Sequence, residues 1–186
     1  HVANRAVYDS FGDTNGCAVA YNYITGEILI CVSRPSLDIT KGYADIDNFE
    51  SGTLISKTLY GTVPGSTQKI STLAAAFEIM GADKLFSKSY TCNGTYRNLG
   101  GQDILCHNLS GHGTENIQEA FENSCNVFFA QLVEDPDMPL DGIERVYTSM
   151  GYAINGAPQN TIDINGIKCE TASTTLTNSY DFDTQW

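Results

Sequence analysis

Ser66 and Lys69 stand three residues apart in the segment Ser66-Thr67-Gln68-Lys69. If that segment is helical, both side chains share one face. A serine hydroxyl is a weak nucleophile until a base takes its proton. A lysine amine is such a base once neutral, and burial disfavours the ammonium form and lowers its pKa. The start of a helix adds unpaired N–H groups and a positive dipole end, both suited to a developing oxyanion. One short segment thus offers nucleophile, base and anion stabiliser. The motif alone carries little weight, because serine is an ordinary helix cap and most lysines are solvated.

A second group strengthens it. Ser124-Cys125-Asn126 is the only Ser-x-Asn in the chain, as Ser66-x-x-Lys69 is the only Ser-x-x-Lys. In a bend between two helices, the Ser124 hydroxyl and the Asn126 carboxamide can project into one cleft. Serine there can relay a proton, and asparagine can bind a substrate amide.

The elements that must position these residues are readable in outline. Pro64-Gly65 blocks any helix from running backwards, and Ser66 to Met80 is predicted as a helix closed by Gly81. Ile70, Leu73, Ala74 and Phe77 form its apolar stripe, on the side that carries Ser66 and Lys69. Thr114 is expected to cap a second helix with Ile117, Ala120 and Phe121 on one face. Residues 127–133 (VFFAQLV) form a third, buried helix, and Asp141 to Met150 a fourth, closed by Gly151. Upstream, Gly16 to Tyr23 and Glu27 to Ser33 make a hairpin about a Thr25-Gly26 turn. The nearly unbroken apolar run of its second strand predicts a central strand covered on both faces. Residues 36–63 read as loop with short helical pieces, residues 83–113 as loop, and residues 152–186 carry no strong period.

Composition excludes other classes. Ten Lys and Arg against 22 Asp and Glu give a net charge of −12. Phosphate binding needs clustered cations, so nucleic acid is not the partner, and an anionic membrane surface is disfavoured too. At 41% hydrophobic residues the chain can bury a core. It has no apolar run of about 18 residues or more, so nothing in it spans a bilayer. It begins at His1 with no signal-like segment, which is expected of a processed or excised piece. Six cysteines are too scattered for a disulfide miniprotein. With no CxxC and no HxxxH, no zinc site is expected. Cys125 reads as a small buried filler, and His107 and His112, beside Gly111 and Gly113, as loop residues. Cys17 and Cys31 are expected on opposite faces of the hairpin and therefore unpaired.

Residues 16–36 (GCAVAYNYITGEILICVSRPS), 60–78 (YGTVPGSTQKISTLAAAFE) and 111–129 (GHGTENIQEAFENSCNVFF) resemble, in this order, a penicillin-binding protein transpeptidase domain. The likeness is strongest to the monofunctional class B kind of Gram-positive bacteria. In that family the serine of Ser-x-x-Lys is the nucleophile, and its acylation base is disputed. The resemblance implies an α+β fold of the β-lactamase/transpeptidase type, an antiparallel sheet plus a helical lobe. It places the sheet hairpin at 16–35 and the helical lobe at 64–151 of a partial domain spanning 1–186. It also implies that Ser66 attacks a D-Ala-D-Ala stem peptide or a β-lactam and that Lys69 takes the hydroxyl proton. Ser124 would pass a proton to the leaving group, and Asn126 would hold the substrate amide and position Lys69. No metal or organic cofactor is implied. The implied partners are peptidoglycan stem peptides, β-lactams and a cell-wall polymerase or divisome protein. The implied location is the extracytoplasmic face of the cell membrane, with an anchor outside this chain. In such an exported domain, Cys92 and Cys106 flank a loop as either a disulfide or two free thiols.

The chain departs from the family in one respect: no Lys-Thr/Ser-Gly follows Asn126. The expectation is therefore an N-terminal portion of the domain, without the C-terminal strands, that turns over little by itself. A β-lactamase of the same fold is the nearest rival, although no ExxLN-like segment follows Asn126 to activate a deacylating water. A penicillin sensor and a non-catalytic scaffold are the others.

Overall fold

A computed structural model describes residues 2–59, 63–154, 161–164, 167–170 and 173–174. The chain divides into two compact units, His1–Gly61 and Thr62–Trp186.

The first unit holds helix α1 (Val2–Ser10), strands β1 (Gly16–Tyr21) and β2 (Ile28–Arg34), and two short 3-10 turns, Ile46–Asn48 and Lys57–Leu59. The expected hairpin is present, but its turn is longer than two residues. Asn22 Oδ1 accepts from the Ile24 and Thr25 amides at 2.9 and 3.3 Å, and the Asn22 amide donates to Glu27 O at 2.8 Å. A register shift between Ala20 and Tyr21 accommodates the extra length. Cys17 pairs with Ser33 and Val19 with Cys31, so Cys17 and Cys31 share a face, contrary to the expectation. Both are free and exposed. The covered central strand is corrected as well: β2 buries only Val32 and leaves Ile28 and Leu29 exposed.

The second unit is built around three helices. A 3-10 turn (Gly65–Thr67) runs into α2 (Gln68–Met80), which Gly81 ends at a φ of 76°. There follow α3 (Ala82–Ser87), β3 (Ser89–Cys92), β4 (Thr95–Arg97), β5 (Asp103–Leu105), β6 (Gly113–Asn116), α4 (Ile117–Glu122), α5 (Asn126–Val133) and α6 (Leu140–Ser149). The stretch read as loop between 83 and 113 thus contains a helix and three strands. β3 pairs antiparallel with β6, and β4 with β5. These strands are only three or four residues long, too short for a period-2 pattern to register. The loosely assigned 152–186 stretch lies largely outside the described residues. Four backbone strands are described there: β7 (Ala153–Ile154), β8 (Thr161–Ile164), β9 (Ile167–Glu170) and β10 (Ser173–Thr174). β7 pairs parallel with β10, and β8 antiparallel with β9.

α5 is the centre of the core: Val127, Phe128, Phe129, Ala130, Leu132 and Val133 are all buried. Against it pack Ala75 and Ala76 of α2 and Ile143, Val146 and Tyr147 of α6. The apolar stripe expected on α2 is misplaced. Ile70 is 61% exposed and Phe77 37%, whereas Gln68, Lys69, Thr72, Ala75 and Ala76 are buried. The buried face lies one residue, about 100°, round the helix from the predicted one. Its polar members are admitted because they find partners. Gln68 Nε2 donates to Tyr147 OH at 2.8 Å, and Thr72 Oγ1 lies 3.1 Å from the same oxygen.

α4 is capped by Asn116 rather than Thr114. Asn116 Oδ1 accepts from the amides of Gln118 and Glu119, and Glu119 Oε2 accepts from the Asn116 amide. The box completes a helix of only two turns. Asn116→Ala is expected to cost about 0.5–2 kcal/mol in chemical denaturation. An unchanged midpoint would show that the cap is dispensable.

Candidate active site

Ser66 sits in the 3-10 turn just ahead of α2, with Gly65 before it at a φ of 57°. A positive φ of this kind is cheap only for glycine. Thr67 Oγ1 donates back to Pro64 O at 2.6 Å and closes the turn. The outcome is an exposed serine next to a lysine that is only 1% exposed.

Lys69 Nζ is the hub. It lies 2.9 Å from Ser66 Oγ, 3.1 Å from both Ser124 O and Ser124 Oγ, and 2.6 Å from Asn126 Oδ1. It also stands 5.9 Å from the centre of the Phe129 ring. All four residues singled out in the sequence therefore meet around one nitrogen. Burial holds the Lys69 amine below the usual lysine range, against a smaller opposing pull from Cys106 and Cys125.

The second pair is held as firmly. Asn126 Nδ2 donates to Leu105 O at 2.9 Å, which directs its oxygen toward Lys69. Ser124 has a φ of 49°, the only positive φ outside glycine among the described residues. Such backbone costs on the order of 1–3 kcal/mol and persists only where its surroundings enforce it. The strain turns both Ser124 oxygens toward the lysine, while Ser124 and Asn126 stay half-buried. With the amine neutral, its lone pair can accept the Ser66 proton while its two N–H groups donate to Asn126 and Ser124. That is a nucleophile poised beside its base, with a second hydroxyl within reach of the same proton.

Sequence reasoning had no signal for the seat beneath these groups. Gln68, Thr72 and Tyr147 anchor the start of α2 to α6, and Tyr152 OH donates to Gln68 Oε1 at 3.3 Å. Burial pushes the Tyr147 hydroxyl well up from its ordinary value, so it stays protonated.

The family model described as the penicillin binding protein transpeptidase domain matches residues 16–179. The chain belongs to the penicillin-binding protein transpeptidase family. Over 122 residues it is 35% identical to stage V sporulation protein D of Bacillus subtilis (strain 168), covering 63% of this chain and 18% of that protein. Its fold is similar to the D,D-transpeptidase domain of a peptidoglycan glycosyltransferase from Eggerthella lenta. There the TM-score is 0.73 at 24% identity, over 98% of this chain and 42% of the other. It is also similar to penicillin-binding protein A from M. tuberculosis, solved as a penicillin G acyl-enzyme complex. For that structure the TM-score is 0.77 at 21% identity, over 97% of this chain and 44% of the other. The chain thus spans under half the length of each of these relatives, and the fold is of the transpeptidase type expected from the motifs. Among the described residues of this transpeptidase chain, no helix is long and apolar enough to cross a membrane.

Proposed function

We propose that the complete protein is a serine D,D-transpeptidase that cross-links peptidoglycan stem peptides and is acylated by β-lactams. Ser66 gives its proton to neutral Lys69, and Oγ attacks the carbonyl of the terminal D-Ala-D-Ala amide. The Ser66 backbone N–H donates to the oxyanion. Collapse breaks the C–N bond, and the departing D-Ala amine leaves with a proton passed through Ser124. Asn126 holds the substrate amide and keeps Lys69 in line. The amine of a neighbouring peptide then attacks the ester, forms the cross-link and returns the proton to Ser66.

The observation that carries this reading is the buried Lys69 amine, 2.9 Å from Ser66 Oγ. The site acts where its substrate lies, on the extracytoplasmic face of the membrane, with the anchor outside this chain. A polymerase that makes the glycan strands is the protein partner it implies.

A fluorescent penicillin tests the reading. The complete protein is expected to take one label per chain, and Ser66→Ala none. Rapid hydrolysis of nitrocefin would instead indicate a β-lactamase, and full labelling of Ser66→Ala would overturn the assignment. The 186-residue chain has no Lys-Thr/Ser-Gly after Asn126 and is expected to label weakly by itself. Labelling as fast as in the complete protein would contradict that expectation.

A further inference from the structure

Cys92, Cys106, His112 and Cys125 come together beneath the Ser124–Asn126 bend. One ligand atom from each lies within 4.8 Å of every other. The three cysteines are buried, and the His112 side chain is only 11% exposed. Cys106 Sγ is 3.6 Å from His112 Nδ1 and 4.0 Å from Cys125 Sγ. Around a tetrahedral zinc with Zn–S bonds of about 2.3 Å, neighbouring ligand atoms stand roughly 3.8 Å apart. The widest separations can exceed that spacing by about 1 Å (4.8 against roughly 3.8 Å), so closing around the ion needs side-chain shifts of that order and no change of fold. No disulfide joins Cys92 to Cys106, and both are free thiols.

Close backbone contacts bring the four residues together. Cys92 pairs directly with Gly113 across β3 and β6. Gly111, at a φ of 82°, lies so close to Cys92 O and Asn93 that any Cβ there would overlap them. The Cys106 amide donates to Gly94 O at 2.9 Å, and Gly94 meets the Leu109 carbonyl just as tightly. These contacts set His112 beside Cys92 and turn Cys106 inward. Against the imidazole lies Glu115, itself buried. Its Oε2 stands 3.7 Å from His112 Nδ1 with no hydrogen-bond partner, while Oε1 accepts from Asn123 Nδ2 at 2.7 Å. With Nε2 as the ligating nitrogen, Nδ1–H is left to face this carboxylate, the usual support of a metal-ligating histidine.

We propose that Cys92, Cys106, His112 and Cys125 bind one Zn2+ as a closed tetrahedral site that braces the Ser124–Asn126 bend. Soft thiolates with one imidazole select zinc over hard cations. Four protein donors leave no position for water, so the role is structural. On binding, the three thiols lose their protons to solvent and the imidazole offers a nitrogen lone pair. Cys125 lies between Ser124 and Asn126, so its Zn–S bond holds the strained Ser124 backbone in place. Cys106 adjoins Leu105, whose carbonyl seats Asn126. In the sequence 13, 5 and 12 residues separate the four ligands, a spacing that matches neither a CxxC nor an HxxxH pattern and so leaves no motif to read.

The test is metal analysis of the protein purified reduced, loaded with zinc and gel-filtered. One zinc per chain is expected. Cys17→Ser should retain it, while Cys92→Ser and His112→Ala should lose it, and Glu115→Gln should bind roughly 10–100-fold more weakly. Cobalt(II) on the unaltered protein should give thiolate charge-transfer absorption and the intense visible bands of tetrahedral coordination, which decides the matter even if a cysteine variant fails to fold. Failure to bind zinc or cobalt, an octahedral cobalt spectrum, equal zinc in Cys92→Ser and Cys17→Ser, or a Cys92–Cys106 disulfide in the native protein would each overturn the proposal.

Discussion

Lys69→Met is expected to slow acylation of the complete protein by roughly 10²–10⁴-fold, the range that a positioned general base supplies. Methionine keeps much of the volume of the buried lysine stem but has no lone pair basic enough to take the Ser66 proton. The loss should fall on the acylation rate, with Ser66 still in place. The pH profile separates this cause from simple misfolding. Burial lowers the Lys69 pKa from its ordinary 10.5, and below the lowered value the amine carries a proton and cannot accept another. The acylation rate should therefore climb with pH and level off before 10.5, and Lys69→Met should lose that climb. A climb that survives in the variant would assign the base elsewhere.

Phe128→Ala is expected to have the largest effect on stability. Phe128 is fully buried in α5, and its ring meets Tyr90 edge-on at 5.0 Å and Phe129 at 5.9 Å. Truncating a buried phenylalanine costs roughly 3–5 kcal/mol through lost transfer energy and the cavity left behind. The surroundings have little freedom to collapse. Tyr90 OH donates to Asp135, and Asp135 is bound to Lys88 Nζ at 2.8 Å. Desolvation and this bond to Asp135 push the Tyr90 hydroxyl up. Because α5 begins at Asn126, the same truncation should loosen the site. A denaturation midpoint near that of the unaltered protein would mean that the helix is not the keystone of the core.

Much of the site was legible in the sequence because its parts are local. Ser66 and Lys69 lie one turn apart, and Ser124 and Asn126 share one bend. Helical geometry and a single turn therefore suffice to bring each pair together. That the two pairs meet at Lys69 is a tertiary fact, and only the resemblance to the transpeptidase family carried it. The apolar period misled on α2 because a buried face is not always an apolar one. Gln68, Lys69 and Thr72 go inside since Tyr147, Ser124 and Asn126 satisfy them, leaving Ile70 and Phe77 outward. The hairpin bulge and the short strands between residues 89 and 116 rest on single side-chain caps and on glycine contacts such as Gly111 against Cys92. Neither leaves a periodic trace. The four would-be zinc ligands are the extreme case, joined only by the folding back of that same region.

Peptide mapping of the complete protein after reaction with benzylpenicillin bears most directly on the whole account. One adduct is expected, on Ser66, formed as an ester and absent from Ser66→Ala. An adduct on Ser124, on a cysteine, or undiminished in Ser66→Ala would contradict it.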